Sequence, residues 1–205
     1  MHPSEELAEL FKAFPGVGPR QARRFVYHLL TRPKGTVERV ATLIKSLQKE
    51  VISCVSCRRF FFANGDTTCT ICRNENRDQT LLAIVCRDVD VEALEKSNVF
   101  KGRYFVLGGT VPLMEESPEK HIRLDSLLSV IKRQAEAGLS EVIIAMNASP
   151  EGDHTATIVR RSLAPLQEKH TLKITTLGRG LSTGTELEYA DSDTIGNALR
   201  NRAKT

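Results

Sequence analysis

Four cysteines, arranged as Cys54-x2-Cys57 and Cys69-x2-Cys72, carry the clearest chemistry in the chain. A Cys-x2-Cys pair sets two sulfurs on one tight turn, and two such turns supply four thiolates for a tetrahedral Zn2+. The intervening residues 58–68 are long enough for a short β-ribbon turning at Asn64-Gly65-Asp66, which would bring the two turns together. Redox-active or disulfide-bonded pairs share this spacing. A closed set of four sulfurs leaves no coordination position for water or substrate, so the expected zinc is structural.

A second constellation lies near the start. Gly16-Val17-Gly18 separates two short amphipathic segments, the pattern of a helix-hairpin-helix. Glycines permit a tight turn that bares backbone N–H groups at the opening of the second helix, where the positive end of the helix dipole favours a phosphate. Arg20 and Arg24 fall one turn apart on that helix, with Arg23 adjacent. Contacts of this kind reach the sugar-phosphate backbone and carry no base code, so they predict sequence-independent, salt-sensitive DNA binding. The competing expectation is a plain helical corner with solvated arginines.

Acidic residues offer a third possibility. Asp88-Val89-Asp90 follows a short apolar run, and Glu151 sits in the later loop Asn147-Ala148-Ser149-Pro150-Glu151-Gly152-Asp153. Carboxylates converging at strand ends could hold Mg2+ for phosphoryl transfer. Two carboxylates on a helix-opening turn, however, ordinarily serve as caps and dipole partners, and that is the expectation here. Cys86 reads as a small buried residue. Tyr104 reads as core, and neither His28 nor His154 has a nucleophile in register.

The elements that must position these groups follow from periodicity. A first helix capped by Ser4 carries Leu7, Leu10, Phe11 and Phe14 inward. A second starts at Pro19, a residue suited to the first helical turn, and buries Ala22, Phe25, Val26, Leu29 and Leu30. A third, from Thr36, buries Val37, Val40, Ala41, Ile44 and Leu47. Beyond the cysteines, strands over 80–85, 103–107, 141–146 and 172–176 alternate with helices near 91–96, 124–131 and 154–166. Such alternation predicts a mostly parallel sheet with flanking helices. The expected organisation is a helix-hairpin-helix region over 1–53, a zinc module over 54–78, an α/β domain over 79–176 and a glycine-rich C-terminal segment over 177–205. That last segment, with Gly178, Gly180 and Gly184, is too short for its own core and must pack on the sheet domain or on another subunit.

Composition sets the outer bounds. The chain has 205 residues, 40% hydrophobic and 26% charged, the balance of an ordinary globular protein. No apolar run of about 18 residues exists to span a membrane, and the first residues do not read as a signal peptide. Free thiols suited to zinc point to a reducing cytoplasm. The net charge of +4 is uneven: residues 1–78 hold 13 Lys/Arg against 8 Asp/Glu, whereas the remainder holds 16 against 17. A basic front end suits a polyanionic partner.

The order of these parts resembles the RecR family of bacterial recombination mediators across nearly the whole chain. The most specific stretches are 54–72 followed by Arg77-Asp78, Gly102-Arg103-Tyr104-Phe105-Val106-Leu107-Gly108-Gly109, Glu151-Gly152 with Thr155-Ala156, and Gly178-Arg179-Gly180-Leu181 followed by Leu187-Glu188-Tyr189-Ala190-Asp191. The resemblance implies an α/β domain of Toprim type. It further implies a non-enzymatic, nucleoid-associated DNA-repair protein that acts with RecO, and in some systems RecF. Such proteins help load RecA on gapped DNA covered by single-strand-binding protein. Family subunits assemble into homo-oligomers, dimers or tetrameric rings, through their end regions. By the same resemblance, Gly16, Gly18, Arg20 and Arg24 match the DNA-contacting hairpin, and Glu151 matches an acidic position on the partner-facing surface. The chain departs from the pattern at Cys86 and Arg87, where a Toprim domain usually carries Glu. It departs again at 114–121, where a glycine-rich stretch is replaced. The alternative reading is a Toprim enzyme using Mg2+ near Asp88, Asp90 and Glu151; a zinc-ribbon adaptor binding only protein is a third.

Overall fold

The computed structural model describes residues 2–115 and 117–202. Glu116, within the 114–121 stretch, and residues 203–205, at the end of the glycine-rich segment, lie outside the described residues. By its internal contacts the chain divides into two compact units, Met1–Val51 and Ile52–Thr205.

The first unit is helical. Helix α1 (Pro3–Lys12) is capped by His2, whose Nδ1 accepts from the Ser4 N–H while Glu5 reaches back to the His2 N–H. Ser4 was the expected cap. Pro3, which has no N–H to satisfy, takes the first helical position and places the cap one residue before itself. Helix α2 (Pro19–Leu30) opens at Pro19, as its sequence predicts. Ala8, Ala22 and Val26 form a small core with Leu7, Phe11 and Val17 packed on it, and Phe11 meets Phe25 edge-on at 5.8 Å. Leu10, Phe14 and Leu30, expected inside, are exposed. Helix α3 (Lys34–Glu50) starts two residues before Thr36 and buries nothing. Val40, Ala41, Ile44 and Leu47 lie open, and Val37 is half-buried. Periodicity identifies an apolar face; it does not supply the element that covers it.

The boundary falls at the start of a two-stranded ribbon, β1 (Val51–Ser53) paired with β2 (Phe60–Phe62). Residues 58–68 thus hold one strand of the ribbon, not both; its partner precedes the first cysteine pair. The expected turn is present, with Asn64 and Gly65 at φ 40° and 85° and the Asp66 N–H donating to Ala63 O at 2.7 Å. Both central residues have positive φ, the combination for which Asn-Gly is favoured. A single-turn helix, α4 (Thr70–Arg73), carries the last cysteine.

Strands and helices then alternate: β3 (Leu81–Val85), α5 (Asp88–Ser97), β4 (Arg103–Val106), α6 (Leu124–Glu136), β5 (Glu141–Ala145), α7 (Pro150–His170), β6 (Lys173–Thr176) and α8 (Ser192–Arg200). The sheet is parallel throughout, in the order β4-β3-β5-β6. Helix α7 begins at Pro150, ahead of the expected His154, and runs through Pro165 without ending.

Strand alternation divides the core into two layers. Leu82, Ile84, Phe105, Leu107, Val142 and Ile144 face one way and pack with Leu127, Ile131, Val159 and Leu163 of α6 and α7. Ala83, Val85, Tyr104, Val106 and Ala145 share the other cluster with Val91 of α5, Ile71, and Cys54, Cys57 and Cys69. The cysteine module therefore forms part of the second layer that covers the sheet.

Gly152, in the first turn of α7, has no room for a side chain: a Cβ there would stand 2.1 Å from Asn147 O. Gly152→Ala is expected to destabilise the protein by about 1–3 kcal/mol through forced backbone displacement. Denaturant unfolding checks this, and α7 places Ala156, one turn further on, as a comparison site.

Candidate metal centre and nucleic-acid interface

Cys54, Cys57, Cys69 and Cys72 converge so that their four Sγ atoms lie within 4.8 Å of one another. Each pair is held by its own local turn. The Arg58 N–H donates to Cys54 O, with Arg58 at φ 63°, and the Arg73 N–H donates to Cys69 O at 3.1 Å; the Cys69 N–H links the two turns by donating to Cys54 Sγ at 3.3 Å. Cys57 and Cys69 Sγ are 3.6 Å apart; a tetrahedron with metal–sulfur bonds of about 2.3 Å has edges of about 3.8 Å. None of the four is in a disulfide, and only Cys72 is not fully buried. Sulfurs this close cannot all shed protons unaided. Hydrogen bonds from Cys57, Cys69 and Cys72 pull the Cys54 thiol far down, whereas the other three sulfurs push Cys72 far up. A dication resolves that conflict, so the donor set fits a thiophilic metal ion.

The module is anchored to the sheet. The Val106 N–H of β4, an edge strand, donates to Cys57 O at 2.8 Å. Arg77, just past the cysteines, pairs with Glu95 of α5, donates to Gly102 O at 3.0 Å and lies over the Tyr104 ring at 5.7 Å. The Tyr104 hydroxyl donates to Glu95 Oε1 at 2.6 Å. Burial alone would raise the Glu95 carboxyl; hydrogen bonds from Arg77 and Tyr104 and the Arg77 charge outweigh it and hold the group below its ordinary value. Sequence patterning signalled Tyr104 as core but gave no sign of this three-residue cluster, because its members belong to separate elements.

In the helical unit, Gly16 adopts φ 76° and Gly18 is the N-cap of α2 in extended conformation. No side chain caps this helix, and its first turn holds no acidic residue. Pro19 has no N–H, and those of Arg20 and Gln21 have no partner among the described residues. Arg20, Arg23 and Arg24 are exposed, and none forms an ion pair among the described residues. Open N–H groups at a dipole's positive end, with exposed arginines on the same helix, can receive an oxyanion; Arg23 also lines a hollow with Ser4, Glu5 and Glu9 of α1. His28 accepts from Arg32 Nε at 3.1 Å.

The acidic residues are separately employed. Asp88 Oδ1 accepts from the Phe60 N–H at 2.7 Å, and Asp90 Oδ2 accepts from the Arg87 N–H at 2.8 Å in a capping box. Glu151 is exposed at the opening of α7, 3.4 Å from the Thr110 hydroxyl. Among the described residues, the four cysteines are the only group of three or more His, Cys, Asp or Glu whose ligand atoms converge. Cys86, directly after β3, is fully buried, its thiol raised by burial and directed at Met146 Sδ at 3.2 Å.

Comparison with known proteins places this geometry. Residues 4–48 match the family described as RecR, helix-hairpin-helix; residues 80–177 match the Toprim domain; residues 180–203 match RecR, C-terminal. The recombination protein RecR of Legionella pneumophila (strain Corby) is 36% identical over 197 residues, covering 96% of this chain and 95% of the relative. That of Gloeothece citriformis is 36% identical over 200 residues, covering 98% and 95%. That of a Roseiflexus species is 38% identical over 200 residues, covering 98% and 93%.

The Arg77–Glu95–Tyr104 cluster generates a pH-dependent expectation. Glu95 ionises more readily folded than unfolded, so its contribution is complete above the ordinary carboxylate range and fades as pH falls through the lowered folded value. Glu95→Gln is expected to cost about 1–3 kcal/mol near neutral pH. The gap from the parent protein should narrow steadily towards acid pH in denaturant titrations.

Proposed function

We propose that this chain, which belongs to the RecR family of recombination proteins, is a DNA-binding recombination mediator without catalytic turnover. The observation that carries the proposal is the uncapped, arginine-flanked opening of α2 in the segment matching the family's helix-hairpin-helix. Gly16 and Gly18 shape the turn, backbone N–H groups meet a phosphate, and Arg20, Arg23 and Arg24 supply cations around it. Binding of this kind is independent of base sequence and weakens as salt displaces the released counterions.

In this reading Cys54, Cys57, Cys69 and Cys72 hold one structural Zn2+. The ion neutralises four thiolates and contributes its binding energy to folding of a module with little apolar mass of its own. Regions 1–53, 54–78, 79–176 and 177–205 act as hairpin region, zinc module, Toprim-like domain and assembly segment. The protein works with RecO, and with RecF where present, to help load RecA on gapped DNA in the bacterial cytoplasm. Glu151, exposed in the first turn of α7, is the partner-facing acid. Homo-oligomerisation is supported by the open face of Val40, Leu43, Ile44 and Leu47 on α3, which one helical unit leaves uncovered. Assembly would multiply individually weak hairpin contacts through effective concentration. The absence of turnover is supported by Asp88 and Asp90, committed to backbone N–H groups, and by Cys86 in place of a carboxylate.

Two measurements test this reading. Arg20→Glu is expected to weaken oligonucleotide binding about tenfold and to reduce the slope of log affinity against log salt by about one, with metal content unchanged. An unaltered salt series would remove the hairpin from the interface. Elemental analysis should find one zinc per chain, lost in Cys57→Ser together with the cooperative unfolding transition. Strand nicking with Mg2+ or Mn2+ that disappears in Asp90→Asn would establish the enzymatic alternative instead.

A further inference from the structure

Strand β2 presents three consecutive phenylalanines. Phe61 packs inward against the cysteine cluster, so alternation sends Phe60 and Phe62 out together, 53% and 54% exposed. Each ring is left about half exposed, forfeiting roughly half of the ~1.5–3 kcal/mol that full burial would contribute. Arginines gather around these rings, alongside one carboxylate, Asp88, whose Oδ1 accepts from the Phe60 N–H at 2.7 Å. Arg123 lies over the Phe60 ring at 5.8 Å and is fixed there by bonds from its Nη1 to Arg58 O (3.3 Å) and Val106 O (3.1 Å). Arg58 is itself held by the Ser126 hydroxyl at 3.4 Å. Among the described residues, Arg58, Arg59 and Arg123 form no ion pair.

We infer that Phe60 and Phe62, with Arg58 and Arg123, form a base-stacking platform for single-stranded nucleic acid on the cysteine module. The inference rests on the DNA-binding reading above for its class of polymer, but it uses a different surface and a different contact. Rings accept the flat faces of bases, and a guanidinium already stacked on one ring continues that platform while offering charge to the neighbouring phosphate. Residues two apart on a strand stand about 6.7 Å apart, so each ring can take its own unstacked base. Duplex DNA keeps its bases stacked inside and has nothing to offer the rings. Strand addition by a peptide is disfavoured, because the Phe60 N–H is already taken by Asp88 Oδ1. The hairpin would grip the sugar-phosphate chain without reading strandedness; the platform would supply that preference.

The chain contains no tryptophan, so Phe62→Trp introduces a lone reporter at the site with little change in size. The expected result is quenching of its fluorescence by an unlabelled dT oligonucleotide, with a midpoint matching that from anisotropy, and far less quenching by a duplex of equal length. Phe60→Leu/Phe62→Leu should weaken single-strand binding by roughly 10- to 100-fold and leave duplex binding near the parent value. Metal content and thermal unfolding confirm that this variant is folded. Arg20→Glu should weaken both forms. If the oligonucleotide binds by anisotropy while the tryptophan signal stays flat, the platform is refuted and the hairpin reading survives. If Arg20→Glu leaves binding intact while quenching persists, the hairpin falls and the platform stands. Concentration-dependent quenching without any oligonucleotide would assign the rings to a contact between protein chains, and would also refute the platform.

Discussion

Four sulfurs packed against one face of a parallel sheet are the constraint on which the larger unit turns. A parallel sheet must be covered on both sides. Here α6 and α7 cover one side, and α5 shares the other with the cysteine module. The two faces are built accordingly. Toward α6 and α7 the strands present Leu82, Ile84, Phe105 and Ile144; toward the sulfurs and α5 they present Ala83, Val85, Tyr104, Val106 and Ala145. Ala83 and Ala145 are the small members of that second layer, and enlarging them would overpack it.

The two units divide their labour by physical character. The helical unit has a core of three small buried residues and presents backbone dipoles and exposed cations. A site that binds a polymer irrespective of sequence needs no deeper pocket, since its donors are N–H groups fixed by the turn itself. The larger unit supplies rigidity. Its strand ends, where sheets of this kind so often place chemistry, hold a buried thiol facing a thioether, with Asp90 capping α5 and Asp88 bonded to the Phe60 N–H of β2.

Much of this was legible in the sequence. The strands β3, β4 and β5 are visible as short, mostly apolar runs between turn signals, β6 as a β-branched Ile-Thr-Thr segment, and α2 because Pro19 marks its first position. The cysteine cluster was visible because its spacing admits few other geometries. What escaped detection depended on distance along the chain or on missing partners. Arg123 finds Phe60 and Arg58 only through the fold, and nothing local to 120–126 marks that encounter. The pairing of β1 with β2 was hidden because Val51-Ile52-Ser53 continues directly from a helix. The periodicity of α3 marks an apolar stripe but not its burial, since a stripe records affinity for apolar surface and not its owner. His2 took the capping role from Ser4 because a proline between them decided where helical geometry begins.

The bond from Val106 to Cys57 O has a consequence beyond anchoring. It shields part of an outer strand that would otherwise present unmatched polar groups to any neighbour able to pair with them. Any change in the sulfur cage that shifted the Cys57 carbonyl would free the Val106 N–H and bare that margin of the sheet, so the integrity of the cysteine cluster and the protection of an edge strand are one and the same condition.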